Sequence, residues 1–205
     1  MEENTHTEKL ILDAALQVFS QKGFAGTRMH EIADLAGINK ALLHYYFRCK
    51  KKLFEKILEI VFNELANNLF SLNTENSNWK EVIYKFCQLY IDFFKDKRFI
   101  PQFVINELGE NPDWILKHFS KLNILNTPLL KDLSNSIKNE LNKEVPISEI
   151  MINMISLLIL PIMVGPLMQI IINQSEESYN LFIENRKKIV PKIIIEFIEN
   201  YKVIE

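Results

Sequence analysis

Between Asp34 and Glu55 the chain carries no acidic side chain, yet "GINKALLHYYFRCKKKLF" (37–54) holds Lys40, His44, Tyr45, Tyr46, Arg48 and three further lysines. These groups donate hydrogen bonds to anions or offer planar rings. Taken at 100° per residue from Lys40, the stretch points Leu43 and Phe47 to one side, with Tyr46 beside them. Lys40, Ala41, His44, Tyr45 and Arg48 fall on the other. Against a polyanion such as duplex DNA, Lys and Arg neutralise phosphate and release counterions, while Tyr hydroxyls and His ring nitrogens fix register on phosphate oxygens. Ala41 and Leu42, at the start of the helix, are small or apolar enough to meet a thymine methyl in the major groove. The other reading of the same face is an ordinary solvated helix.

That stretch needs elements to hold it, and the preceding residues supply them. Leu10, Ile11, Ala14, Ala15, Val18 and Phe19 make one face of a helix that Gly23 stops. Thr27 offers an N-cap for a short helix over about 28–36, Gly37 ends it, and Asn39 caps a third helix over about 40–47. Helix, short helix, tight turn, helix is a helix-turn-helix order. Helical periodicity continues from Lys51 to the polar "NTENSN" at 73–78, then from Trp79 to about 97, through a region broken by Pro101 and Pro112, over 121–142, over 148–173 and over 177–203. With 5 Gly in 205 residues and no alternating segment, the chain reads as all-α: a three-helix helix-turn-helix head over 1–50 and a larger helical body over 51–205.

Charge is divided along the chain. Residues 1–52 hold eight Lys and Arg against six Asp and Glu, and the remainder 16 against 20, within a total of −2. An anionic partner is therefore expected at one end only. Cys49 and Cys87 form no metal-ligand spacing, and the polar start has no secretory pattern, so a cytoplasmic chain with free thiols is expected, with no cofactor and no metal. The run 150–172 has no charged residue. It is long enough to span a bilayer but lacks flanking basic clusters. Burial in a core or oligomer interface is the expected fate, and no membrane partner is expected. No phosphate-binding glycine loop, zinc-protease or serine-hydrolase motif occurs, which argues against an enzyme.

Ile11-x-x-Ala14-Ala15-x-x-x-Phe19, Gly23-Phe24-x-x-Thr27, Ile32-Ala33-x-x-Ala36-Gly37-Ile38 and Tyr46-Phe47-x-x-Lys50-x-x-Leu53-Phe54 together resemble the DNA-binding head of the TetR family of bacterial transcriptional regulators, over about residues 9–55. The resemblance implies a homodimer on a palindromic DNA operator and a variable C-terminal domain that binds an inducer. Repression is the commonest outcome and activation an alternative. Carried over by position, Thr27 and Arg28 match the start of the second helix, held on phosphate. Lys40, Ala41, Leu42, His44 and Tyr45 match recognition-helix contacts, and Lys50 matches a phosphate-reaching lysine. His44 stands where Tyr is common and Asn39 where Ser or Thr is. A protonated His44 would grip phosphate more strongly, so DNA affinity is expected to fall as pH rises from about 6 to about 8. The family's last two long helices, here 150–172 and 181–201, would make the dimer interface.

Phe86, Tyr90, Phe93, Phe94, Phe103, Trp114, Met151, Met154 and Met163 are the candidates to line a pocket, and they imply a mostly apolar small-molecule ligand. Asn106, Glu107, His118 and Asn153 are its candidate polar anchors. Each such aromatic or Met is also an ordinary core residue by spacing. Control by a protein partner instead of a small molecule stays open.

Overall fold

The computed structural model describes residues 2–72, 77–110, 112–122, 127–171 and 175–202. Among them there are helices and no strands. The helices are α1 (Glu2–Gly26), α2 (Met29–Leu35), α3 (Lys40–Tyr46), α4 (Lys50–Phe70), α5 (Trp79–Phe94), α6 (Phe99–Glu110), α7 (Pro112–Leu122), α8 (Pro128–Leu141), α9 (Ile147–Met163), α10 (Gly165–Ile171) and α11 (Glu176–Asn200). They form two compact units, residues 1–64 with 99–118, and residues 65–98 with 119–205.

The first unit is built on the apolar face read from α1. Ile11, Ala15 and Phe19 are fully buried, as are Ile32 of α2, Leu43 of α3, and Leu53 and Phe54 of α4. Its aromatic centre draws on distant sequence. The Phe54 ring lies 4.7 Å from Phe19 and 4.1 Å from Phe103, and Phe103 lies 4.8 Å from Phe24. Edge and tilted pairs of this kind contribute about 0.5–1.5 kcal/mol each beyond area burial. Beside them the Lys51 ammonium donates to both oxygens of the buried Glu107 carboxylate, at 2.8 and 3.1 Å. Glu107 is thus an ion-pair partner of α4.

Two local expectations change. Gly23, at φ +68°, breaks the regular path of α1, but helical turns resume to Gly26. Thr27 does not cap α2. Its hydroxyl donates back to the Gly23 carbonyl at 2.7 Å and is buried, so Arg28 takes the N-cap position in extended conformation. The Glu31 carboxylate accepts the Arg28 N–H at 3.1 Å.

The second unit places α11 on α5 and α9, and α8 on α5. The inward face of α5 carries Trp79, Ile83, Phe86, Cys87, Tyr90, Ile91 and Phe94. Against α5 pack α9 and α11, whose buried residues include Met154 and Leu158, and Val190, Ile194 and Ile198. Asn78 and Ser175 cap α5 and α11 by accepting the N–H of Glu81 and Ser178. The apolar run expected as one helix is two, α9 and α10, separated at Val164. Two prolines bear on it: α9 runs on past Pro161 to Met163, and Pro166, just after the break, lacks the N–H that the Ile162 carbonyl would otherwise receive. Among the described residues no helix is long and apolar enough to cross a membrane.

Candidate nucleic-acid interface

The turn between α2 and α3 rests on two residues. Gly37 adopts φ +68°, a left-handed conformation that a side chain would strain. Its N–H reaches the Asp34 carbonyl, and the Ile38 N–H reaches Ala33. Asn39 then starts α3, its side-chain oxygen accepting the Leu42 N–H at 2.8 Å. Such a cap is worth about 1 kcal/mol. With Leu43 fully buried and Phe47 nearly so, the rotation of α3 is fixed.

The opposite face is open. Lys40, Ala41, His44, Tyr45 and Arg48 are exposed, Tyr45 to 77%, and Leu42 is half-buried. The Tyr45 and Tyr46 rings meet edge-on at 5.6 Å. His44 Nδ1 lies 3.2 Å from the Arg48 carbonyl, which, able only to accept, makes Nδ1 the donor of that bond. Arg48 lies past the end of α3, beyond the extended Phe47, so helical spacing does not place it; it is exposed, and its carbonyl is the one His44 reaches. No acid lies in the first turn of α3.

The two flanking candidates behave differently. Arg28 is exposed, but Thr27 is buried and offers the face no hydroxyl. The Glu31 carboxylate, beside Arg28, is already engaged. Lys22 at 2.6 Å and then the Arg28 N–H hold its pKa below the ordinary carboxylate value. Lys50 is turned inward. Its ammonium donates to the carbonyls of Phe24 at 2.7 Å, Thr27 at 3.0 Å and Ala25 at 3.3 Å, and sits 4.6 Å above the Phe24 ring. Three donors meet three acceptors, which ties the start of α4 to the junction of α1 and α2.

A family model described as bacterial regulatory proteins of the tetR family matches residues 11–57, from the core face of α1 through the turn to α4. The chain belongs to the TetR family. It is 33% identical over 126 residues to the Staphylococcus aureus biofilm operon icaADBC negative transcriptional regulator IcaR. That match covers 60% of this chain and 66% of IcaR. It is 48% identical over 56 residues to the Escherichia coli regulator RutR, covering 27% of this chain and 26% of RutR. Among solved structures it resembles the Bacillus subtilis transcriptional regulator FadR, solved with stearoyl-CoA, at 18% identity and TM-score 0.63, over 91% of this chain and 97% of that one. A Streptomyces coelicolor regulator, SCO4942, matches at 16% identity and TM-score 0.62, over 93% and 97%. These structural likenesses establish the all-helical fold with its N-terminal helix-turn-helix.

The pocket candidates fall in both units. Phe86, Tyr90, Phe93, Phe94, Met151, Met154 and Met163 belong to the second unit, and Phe103 and Trp114 to the first. Of the candidate anchors, Asn153 donates to the Glu149 carbonyl of its own helix and Glu107 is held by Lys51. Asn106 is exposed, and the side chain of His118 lies outside the described residues. Two cavities lie elsewhere. One of about 330 Å³ in the first unit is floored by Leu12, Leu16, Ile57 and Val61. One of about 380 Å³ in the second lies among Lys95, Asp96, Tyr179 and Glu184.

Proposed function

We propose that this TetR-family chain is a dimeric transcriptional regulator of the repressor type. Residues 1–50 read a palindromic operator, and 51–205 provide dimerisation and the site of a mostly apolar inducer. The observation that carries the reading is the carboxylate-free outer face of α3, presented by a helix whose start and rotation are fixed. On it Lys40 and Arg48 neutralise phosphate. Ala41 and Leu42 meet base edges, and Tyr45 and His44 position the helix. Arg28 acts through its exposed guanidinium. Thr27 and Lys50 act from within: they hold the backbone that carries the readers.

The negative regulation in IcaR's name supports the repressor assignment, and stearoyl-CoA in the FadR structure supports an apolar ligand for the body. Dimerisation through the last long helices is supported by apolar side chains left exposed on α9, α10 and α11. These include Leu160 at 57%, Ile170 at 76% and Leu181 at 62%. Two heads then meet successive major grooves. A ligand that prefers another arrangement of the heads releases DNA by that difference in affinity.

The test is capture of fragmented genomic DNA on the purified protein at near-physiological salt, followed by sequencing. A short enriched palindrome supports the reading. No enrichment after unfolding, stripping and refolding removes it.

A further inference from the structure

The seam that α11 buries runs Tyr179, Ile183, Val190, Ile194 and Ile198, and at its middle helical spacing places Arg186 and Lys187 where an apolar residue is expected. Lys187 is bridged to Asp92 and Glu184. Among the described residues Arg186 pairs with no carboxylate. Burial draws its pKa down, and the neighbouring Cys87 thiol opposes that only partly. Its Nε is buried without a partner. A guanidinium held at this cost without an ion pair needs another reason.

The reason lies on α9. Residue 161 is proline, so the Leu157 carbonyl, four residues earlier, has lost the N–H that a regular helix would aim at it. The Arg186 Nη2 donates to that same carbonyl at 3.0 Å. Four residues on, near the end of α9, the Pro161 carbonyl accepts from the Tyr179 hydroxyl of α11 at 2.9 Å. Tyr179 can come so near because residue 165 is glycine. A Cβ there would lie 2.7 Å from the Tyr179 oxygen and 3.0 Å from the ring carbon that bears it.

We infer that Arg186 is a positioning residue: its side chain replaces the backbone donor that Pro161 removes. With Tyr179 it holds the α9–α10 bend in one geometry. The bend sets the direction of α10 and so aligns Leu160 of α9 with Leu167, Ile170 and Ile171 of α10, all exposed. This last step rests on the proposal that a second copy of the chain covers that face.

The test is a double-mutant cycle on the full chain, with R186M, P161A and the pair. P161A restores the backbone N–H, so the Leu157 carbonyl no longer needs Arg186. R186M should therefore lower the thermal midpoint by at least about 3 °C more in the native background than in P161A. The difference is decisive because R186M also removes the unpaired Nε, an effect common to both backgrounds. Equal shifts in the two backgrounds overturn the inference. G165A provides an independent perturbation: it should displace Tyr179 and reproduce the loss, and a wild-type midpoint would remove Tyr179 from the device.

Sedimentation across a dilution series reads the partner face. R186M should raise the dimer dissociation constant about tenfold or more, and an unchanged constant severs the bend from that face. If the wild type sediments as a monomer, self-association itself falls, while the cycle still decides what Arg186 does.

Discussion

Replacing Lys50 by Met separates a residue that touches DNA from one that holds the reader in place. Family position puts an ammonium on phosphate there, whereas the structure gives it the carbonyls of Phe24, Ala25 and Thr27. Met keeps most of the stem and removes the charge. A hydrogen bond from a charged donor contributes about 1.5–3 kcal/mol, and the contact over Phe24 about 0.5–1 kcal/mol. The three bonds share one ammonium, and ordering a lysine costs up to about 2 kcal/mol of rotamer entropy. The net loss on K50M is therefore about 2 kcal/mol, read as a lower urea midpoint. DNA affinity should weaken as the α1–α2 junction loosens, but its salt dependence should not change. Each neutralised phosphate contributes about 0.9 to the slope of log K against log salt, or about 1.8 for two subunits. Fluorescence anisotropy on the captured operator, from about 50 to about 300 mM salt, gives that slope. K40A and R48A should each lower it by about 1.8, and K50M should leave it alone. A drop of about 1.8 for K50M with unchanged stability would refute the reasoning and return Lys50 to the phosphates.

K51M strands the Glu107 carboxylate, whose side chain is only 6% exposed, and should cost about 2 kcal/mol once the 39% exposure of Lys51 is allowed for. Adding E107L should recover most of that in urea unfolding, because both charges are then gone. N39A removes the cap of α3 and should cost about 1 kcal/mol, with operator affinity falling at least as much; binding unchanged beside lost stability would detach the cap from recognition. Burial pushes the Cys87 thiol up to about 12. The folded state then keeps a proton that the unfolded chain gives up near its ordinary value of 9.0. Stability from this group is full below about pH 9 and is lost as pH climbs toward about 12, and C87A should fall less steeply over that window. A thiol reagent at neutral pH should accordingly count one reactive cysteine, the exposed Cys49, in the native protein and two after unfolding.

What is legible in the sequence is local. Gly37 and Asn39 act through their own backbone and the next turn, and their roles are visible in a short window. So is the face of α3, because helical spacing alone assigns its sides. Thr27 misleads because its hydroxyl is turned back to donate to the Gly23 carbonyl, and the helix starts one residue later, with Arg28 at the N-cap. The inward turn of Lys50 is illegible for another reason: its acceptors lie 23 to 26 residues away and are backbone atoms with no sequence signature. Phe103 reads as pocket lining because its spacing fits any buried face. Only its partners, Phe24 and Phe54, show which unit owns it. Arg186 is the same kind of case, since the carbonyl it serves is 29 residues distant.

The aromatic centre of the first unit bears on how such regulators are recombined. Grafting this reader onto another sensor by a single crossover after residue 64 would leave Phe99, Phe103 and Glu107 with the discarded half. Phe19, Phe24, Phe54 and Lys51 would then face whatever the new sensor places there. A workable chimera must exchange two stretches of chain, 1–64 and 99–118, as one inheritance, so the reader is modular in space and discontinuous in the gene.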